Sequence, residues 1–439
     1  MRKSILATLI ASALVSFSAH GADLLQIYQQ AQTNDPQFAS VRSSLKVAQE
    51  RVVQANAVHL PSINLQGSNS RTRGPTISQQ GLQTGEFNTS QYSLSLTQHL
   101  YQPANLETYE QSKLAVASAD AQLAQARLDL MIRTAQAYFD VLTAEDALVF
   151  TKAQKEATTE QLASAKRNFE VGTQTITDTH EAQAAYDLVV SQEFAAMNDL
   201  EIRRTALQQI TGQVPGSLSP LKAGASISAP QPAKIDAWVE TAEKQNNNVI
   251  VSQFTVESAK REIKKDRAGH KPTLDLVASS SFRANGPLIN AGVGPSSTTN
   301  SIALQWAVPI FSGYAVTGRI KEAIAQEEKT RFDLETAKRA AAQSARQAFL
   351  SVNSGLAQVK ALEAAEVSSK SSLESNKLGY QVGVRINIDV LNAQRQLFST
   401  RKDLAKARYD TLMSGLRLKA AAGVLAEEDL TAVNALLQK

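Results

Sequence analysis

Cysteine is absent from the chain, so neither a disulfide framework nor a thiol-borne lipid anchor is open to it. Aromatic residues make up only 5% of the sequence, too few for a broad globular core. Ala, Gln, Ser, Leu and Glu fill long stretches instead, which points to extended helices with narrow apolar seams. Charge of one sign is concentrated nowhere: basic and acidic residues alternate along helical stretches and the formal net charge is +4, so nucleic acid is not an expected partner. The five histidines are His20, His59, His99, His180 and His270. None stands at metal-ligand spacing, and there is no phosphate loop or nucleophile elbow. An enzyme, a metal centre and a cofactor are therefore not expected. His59 and His270, each just before a proline, suggest a junction or interface role.

No apolar run is long enough to cross a membrane as a helix, which needs about 20 residues. The nearest approach, Ile5 to Val15, follows Arg2 and Lys3 and precedes small residues at Ala19, Gly21 and Ala22. That pattern is a secretory signal peptide, assigned to residues 1–22, with cleavage after Gly21 or Ala22.

What the chain does contain is a duplication with an offset of 211 residues. Phe169-Glu170-Val171-Gly172, Asp178 and Ala182-Gln183 return as Tyr380-Gln381-Val382-Gly383, Asp389 and Ala393-Gln394. Ala57, His59, Pro61, Leu65 and Gly212 correspond to Ala268, His270, Pro272, Leu276 and Gly423. A unit this long is no short solenoid period; two similar halves around one axis are expected.

Between Pro103 and Gly172 lie 68 residues without glycine or proline. Leu114, Ala121, Leu128, Ala135, Leu142 and Val149 form one seven-residue column and Ala117, Ala124, Met131 and Tyr138 another, a coiled-coil pattern on a helix of roughly 100 Å. The counterpart from Tyr314 to Tyr380 is interrupted in its middle once, at Gly355, with Gly318 and Gly379 near its ends. Gly172 and Gly383 suit left-handed helix ends, after which the glycine- and proline-free stretches Thr173 to Thr211 and Val384 to Ser414 return as helices, so each half holds a helical hairpin with its tip near 171–177 or 382–388. The first repeat is placed at 23–212, with a helix, a β-hairpin at 62–100, a long helix at 103–170 and a return helix at 176–211. An inter-repeat segment at 213–233 follows. The second repeat is placed at 234–423, with a β-hairpin at 273–309, a long helix at 314–380 and a return helix at 386–422, before a terminal segment at 424–439.

Ile63 and Leu65, then Tyr92, Leu94 and Leu96, then Leu274, Leu276 and Ala278, then Ile302, Leu304, Trp306 and Val308 are apolar at every second position. Residues 71–89 and 285–299 are read as the joining loops. Period two with one apolar face fits strands between lipid and water, and also fits two hairpins of a soluble sheet. Counting separates the two. Four strands cannot close a membrane barrel, and an open edge in lipid leaves backbone groups unpaired. The membrane reading therefore requires a homotrimer with twelve strands, continued by a helical tube. The fold class is mainly α with a small β part: long helical hairpins forming a periplasmic α-barrel, and four strands per protomer in a shared transmembrane β-barrel.

The chain resembles the TolC-type outer membrane efflux protein family over essentially its whole mature length. The likeness is carried by Leu24 to Pro36, by Gly269-His270-Lys271-Pro272-Thr273-Leu274-Asp275-Leu276, by Val308-Pro309-Ile310-Phe311, by both tips, and above all by Tyr380-Gln381-Val382-Gly383-Val384-Arg385 with Ile388-Asp389-Val390-Leu391. The resemblance implies a channel across outer membrane and periplasm, conducting small molecules or polypeptides expelled by an inner-membrane pump or secretion ATPase through a periplasmic adaptor. It places Asp389 and Asn392 at the pore constriction; other family members carry a second acid at the latter, so this ring holds less charge. It makes Thr177, Asp178, Tyr380 and Arg385 the gate that ties neighbouring hairpins, and Val171, Gly172, Val382 and Gly383 the adaptor-docking tips. The residues alone also allow Asp178, Glu181, Asn387 and Asp389 to be helix-capping groups. A trimeric coiled-coil adhesin with a small anchor is the alternative function. It is disfavoured because each half inserts its strands between helices and returns.

Overall fold

The computed structural model describes residues 21–78, 81–222, 224–285 and 296–438. The signal peptide expected at 1–22 lies outside these apart from its last two residues. In chain order the elements are α1 (Leu24–Asn34), α2 (Pro36–Ala57), β1 (Ser62–Ser78), β2 (Gly81–Tyr101), α3 (Pro103–Glu170), α4 (Ile176–Thr211), α5 (Ile235–Gln245), α6 (Asn247–Arg267), β3 (Thr273–Asn285), β4 (Ser296–Ala307), α7 (Ala315–Gln381), α8 (Asn387–Ala421) and α9 (Glu427–Asn434). The chain forms two compact units: residues 40–125 with 243–341, and residues 1–39, 126–242 and 342–439. No described helix is long and apolar enough to cross a membrane.

The first of these units holds one antiparallel sheet in the order β1-β2-β3-β4. Its register brings the apolar positions onto one face: Ile63 opposite Leu96, Leu65 opposite Leu94, Leu96 opposite Ala278, Leu276 opposite Leu304 and Ala278 opposite Ile302. These side chains are largely exposed within the protomer. Ile63, Leu65, Leu94, Ile302 and Leu304 cover no core of their own chain. Tyr92 opposite Phe282 marks one border of the band and Trp306 opposite Leu274 the other. From Leu274 to Phe282 a strand advances about 27 Å, or about 20 Å along the normal at a barrel's tilt, close to the apolar band of outer-membrane barrels. The opposite face carries Asn64, Gln66, Ser93, Ser95, Thr97, Ser279, Ser281, Ser301 and Gln305.

The loops expected at 71–89 and 285–299 are shorter than expected. Ser78 pairs with Gly81, so β1 and β2 stay in register well past the apolar band, and Ser296 already pairs with Ala284. Ladder bonds need only backbone, and a hairpin rising into water loses its apolar alternation without losing its pairing. The remaining part of the second loop, 286–295, lies outside the described residues.

In the other unit the expected seam of α3 is buried at Leu128, Met131, Ala135, Tyr138 and Leu142, while Val149 is exposed. Tyr138 donates to the carbonyls of Ala22 (3.2 Å) and Ser219 (2.8 Å), and its neighbour Phe139 stacks on Tyr409 with ring centroids 5.5 Å apart. Trp238, Phe349, Val352, Leu418 and Ala422 form a second cluster. The Gly355 interruption has a steric cause. A Cβ there would stand 2.5 Å from Thr411 Oγ1, so glycine lets α8 approach α7 closely.

Candidate functional site at the hairpin tips

Both tips belong to one unit, so their geometry can be read residue by residue. Each begins with a glycine of positive φ, +77° at Gly172 and +77° at Gly383. Thr173 N donates to Asn168 O (2.9 Å), and Val384 N to Gly379 O (2.8 Å), the wide turn that satisfies a helix's last carbonyls. A Cβ on either glycine would meet nothing within 4 Å, and Val171, Ile176, Val382, Val384 and Ile386 around them are exposed.

The two acids at equivalent positions are held differently. Asp178 N donates to Thr175 Oγ1 (3.3 Å), and Asp178 Oδ2 accepts from Thr175 N (3.1 Å) and Thr175 Oγ1 (2.8 Å), a complete capping box. The residue 211 positions after Thr175 is Ile386, which has no hydroxyl, and α8 starts without a side-chain cap. Asp389 is thereby released from capping and its Oδ2 lies 3.6 Å from Arg385 Nη1 on the same tip. An exposed pair of this kind holds geometry weakly and exchanges readily with water. Asn392, one turn further on, is exposed.

At the tips, three bonds among the described residues join the first hairpin to the second. Gln174 donates its amide to the Tyr380 hydroxyl. Gln161 donates to Asn387 Oδ1, and Asn387 Nδ2 donates to the carbonyl of Asp178 at 3.2 Å. Of the expected gate residues, Tyr380 and Asp178 thus contact the neighbouring hairpin, Asp178 through its backbone. Arg385 turns to Asp389, and Thr177 is exposed with no hydrogen bond to either among the described residues. Asn387, expected as a cap of α8, instead is fully buried and spans to α3 and α4. Gln161, Gln174 and Gly379 were not legible as site residues. Gly379 matters because Arg385 folds over it, with Cγ 2.7 Å from where a Cβ would stand.

The rest of this unit holds an ionisable pair of another kind. Tyr409 donates to Asp146 Oδ2 at 2.9 Å. Burial pushes the Asp146 carboxyl up, opposed by the Tyr409 bond, and burial and the Asp146 charge push the Tyr409 phenol up. Among the described residues no group of acids and histidines could hold a metal ion.

Residues 27–213 and 238–424 match the family described as "Outer membrane efflux protein", once for each half. The chain belongs to the outer membrane efflux protein family. It is an outer membrane channel protein, and the family is one of channels rather than enzymes. Over 437 residues this efflux protein is 33% identical to "Outer membrane protein TolC" of Vibrio cholerae serotype O1, covering 99% of this chain and 98% of that one. "Alkaline protease secretion protein AprF" of Pseudomonas aeruginosa is 29% identical over 430 residues, 96% of this chain and 89% of that one. The fold is that of the Campylobacter jejuni CmeC outer membrane channel, at a TM-score of 0.79 and 18% identity over 95% of this chain and 90% of that one.

Proposed function

We propose that three copies of this efflux protein close one twelve-stranded barrel in the outer membrane and act as the exit duct for cargo expelled by an inner-membrane pump or secretion ATPase. The observation that carries this reading is the sheet of one protomer. It leaves β1 and β4 each with one unpaired edge and presents a continuous apolar face to the outside. Unpaired backbone in lipid costs several kcal/mol per group, and pairing β4 of one copy with β1 of the next removes every edge.

The tips then form the periplasmic entrance. Asp389 from three copies supplies a ring of carboxylates that favours cations, with Asn392 a neutral second ring. Tyr380 and Asn387 hold the second hairpin against the first, and Arg385 restrains Asp389. The exposed valines beside Gly172 and Gly383 receive the helical hairpin of a periplasmic adaptor, which approaches closely where no side chain intervenes.

Native mass spectrometry of the detergent-extracted protein and planar-bilayer recording test this together. The expected result is a trimer with discrete ion conductance. A monomer that passes no current overturns it.

A further inference from the structure

We propose that the second half of the chain carries a binding surface for anionic phospholipid, formed by Lys264, Arg267 and Lys271 at the helix-side end of the sheet. This rests on the barrel reading above. Lys264 and Arg267 lie in the last turn of α6, and Lys271 follows the short turn Ala268–His270, two residues before β3 starts at Thr273. Lys264 and Arg267, three residues apart, share one side of that last turn, Lys271 follows in extended backbone just past the short turn, and all three are exposed. Cations on the neighbouring faces have protein acids: Arg261 binds Glu107, Lys265 binds Glu262 and Lys260 binds Glu257. Among the described residues no acid pairs with Lys264, Arg267 or Lys271.

The duplication supplies an internal control. At the matching positions the first half has Val53, Asn56 and Leu60, all uncharged. α2 completes the same helix-to-strand junction with them, and with no cation in its last turn. Neither packing nor the helix dipole therefore requires three positive charges at the end of α6.

What lies beside the cations is apolar. Trp306 is 74% exposed, and beyond β4 Ile310, Phe311 and Tyr314 are 95%, 77% and 76% exposed. A Cβ on Gly269 would stand 3.2 Å from Val316 Cγ1, which seats the cationic end of α6 against the start of α7, next to Tyr314. Trp306 pairs with Leu274, three residues from Lys271. That is about 10 Å of extended chain, and a headgroup layer reaches roughly 5–8 Å beyond the hydrocarbon. Aromatic rings at the boundary with cations just outside it match a lipid whose acyl chains lie on the sheet and whose phosphate meets Arg267 and the lysines. The helix-side end faces the periplasm, so the lipid is one of the inner leaflet.

Trp306 makes the test direct, since the other tryptophan, Trp238, is only 5% exposed in a core cluster of the other unit. The full-length protein is reconstituted in phosphatidylcholine vesicles containing a minor fraction of acyl-brominated phosphatidylglycerol, or the same fraction of brominated phosphatidylcholine. Tryptophan quenching is read, with Trp306→Phe as background. Each cation near the surface is worth about fivefold in preference for an anionic lipid. The wild type is expected to show excess quenching by the phosphatidylglycerol, Arg267→Gln to lose several-fold of it, and Lys264→Gln/Arg267→Gln/Lys271→Gln to respond equally to both lipids. Equal quenching in the wild type, or undiminished excess in the triple variant, overturns the proposal while leaving the barrel intact. Absence of quenching by either lipid overturns the barrel reading and this proposal with it.

Discussion

Restoring a hydroxyl at Ile386 should convert the second tip into a copy of the first. Ile386 has φ −97° and ψ 163°, and Thr175 has φ −87° and ψ 158°. Ile386→Thr therefore needs no backbone change, and its exposed side chain leaves no cavity. Asp389 N now has only the Ile386 carbonyl, at 3.2 Å. With threonine in place, the Asp389 carboxylate can accept from the new hydroxyl and from the backbone N–H, as Asp178 does. A cap of this kind is worth about 0.5–2 kcal/mol, and the exposed Arg385 pair given up is worth about 0–1 kcal/mol, so α8 should gain stability. With Asp389 in the proposed ring, this moves the carboxylate from the pore to the helix end. A charge about 6 Å from a cation on the axis contributes about 0.7 kcal/mol in water, so three together contribute about 2 kcal/mol, near thirtyfold in cation preference. The permeability ratio of cation to anion, from reversal potentials in planar bilayers, should fall accordingly, and Ile386→Val, isosteric without the hydroxyl, should leave it unchanged. A higher melting temperature with unaltered selectivity would refute the assignment of Asp389 to the pore.

Asn387→Ala strands the Gln161 amide and removes the bond to the Asp178 carbonyl, which should loosen the closed entrance by about 1–3 kcal/mol; single-channel open probability should rise, and an unchanged value in an intact trimer would remove Asn387 from the gate. Gly355→Ala drives a methyl to 2.5 Å from Thr411 Oγ1, so a melt should show a loss of about 1–3 kcal/mol, recovered in part by Thr411→Ala. Asp146 has its folded carboxyl raised by burial, so the stability it contributes is full below the ordinary carboxylate value of about 3.9 and is lost as pH rises through the raised value. Asp146→Asn should consequently melt higher than wild type at neutral pH, with the difference vanishing at pH near 3.

Helix lengths were legible because glycine and proline are so rare that their positions punctuate the chain. Gly172, Gly212, Gly383 and Gly423 all have positive φ, between 74° and 77°. The apolar face of the sheet was legible from period two alone. Strand extent was not, because polar Ser, Thr and Asn beyond the lipid read as loop whether or not their backbones pair. At the tips, sequence order singled out Asp178 and Asp389 but not what they touch. Asn387 looked like a cap because it precedes an acid at a helix start, yet its amide is drawn into the groove between α3 and α4. Gln161 and Gln174 give no local signal at all, since a helix-surface glutamine becomes a contact between hairpins only through the hairpin packed beside it.

The duplication explains why the two halves can play different parts at the proposed entrance. The first tip is self-sufficient: Thr175 and Asp178 satisfy each other within four residues, so that hairpin keeps its shape whatever its neighbour does. The second tip lacks that box and depends on its neighbour, through Tyr380 with Gln174 and Asn387 with Gln161 and the Asp178 carbonyl. Those are neutral hydrogen bonds, each worth about 0.5–1.5 kcal/mol net, and breaking them uncovers no unpaired charge. Movement of the second hairpin's tip therefore breaks only a few such bonds per protomer, while farther along Tyr409 with Asp146 and Arg417 with Gln136 hold the rest of that hairpin to α3. The element that lacks the cap is thus both the one whose tip leans on its neighbour and the one whose acid is free of the helix end.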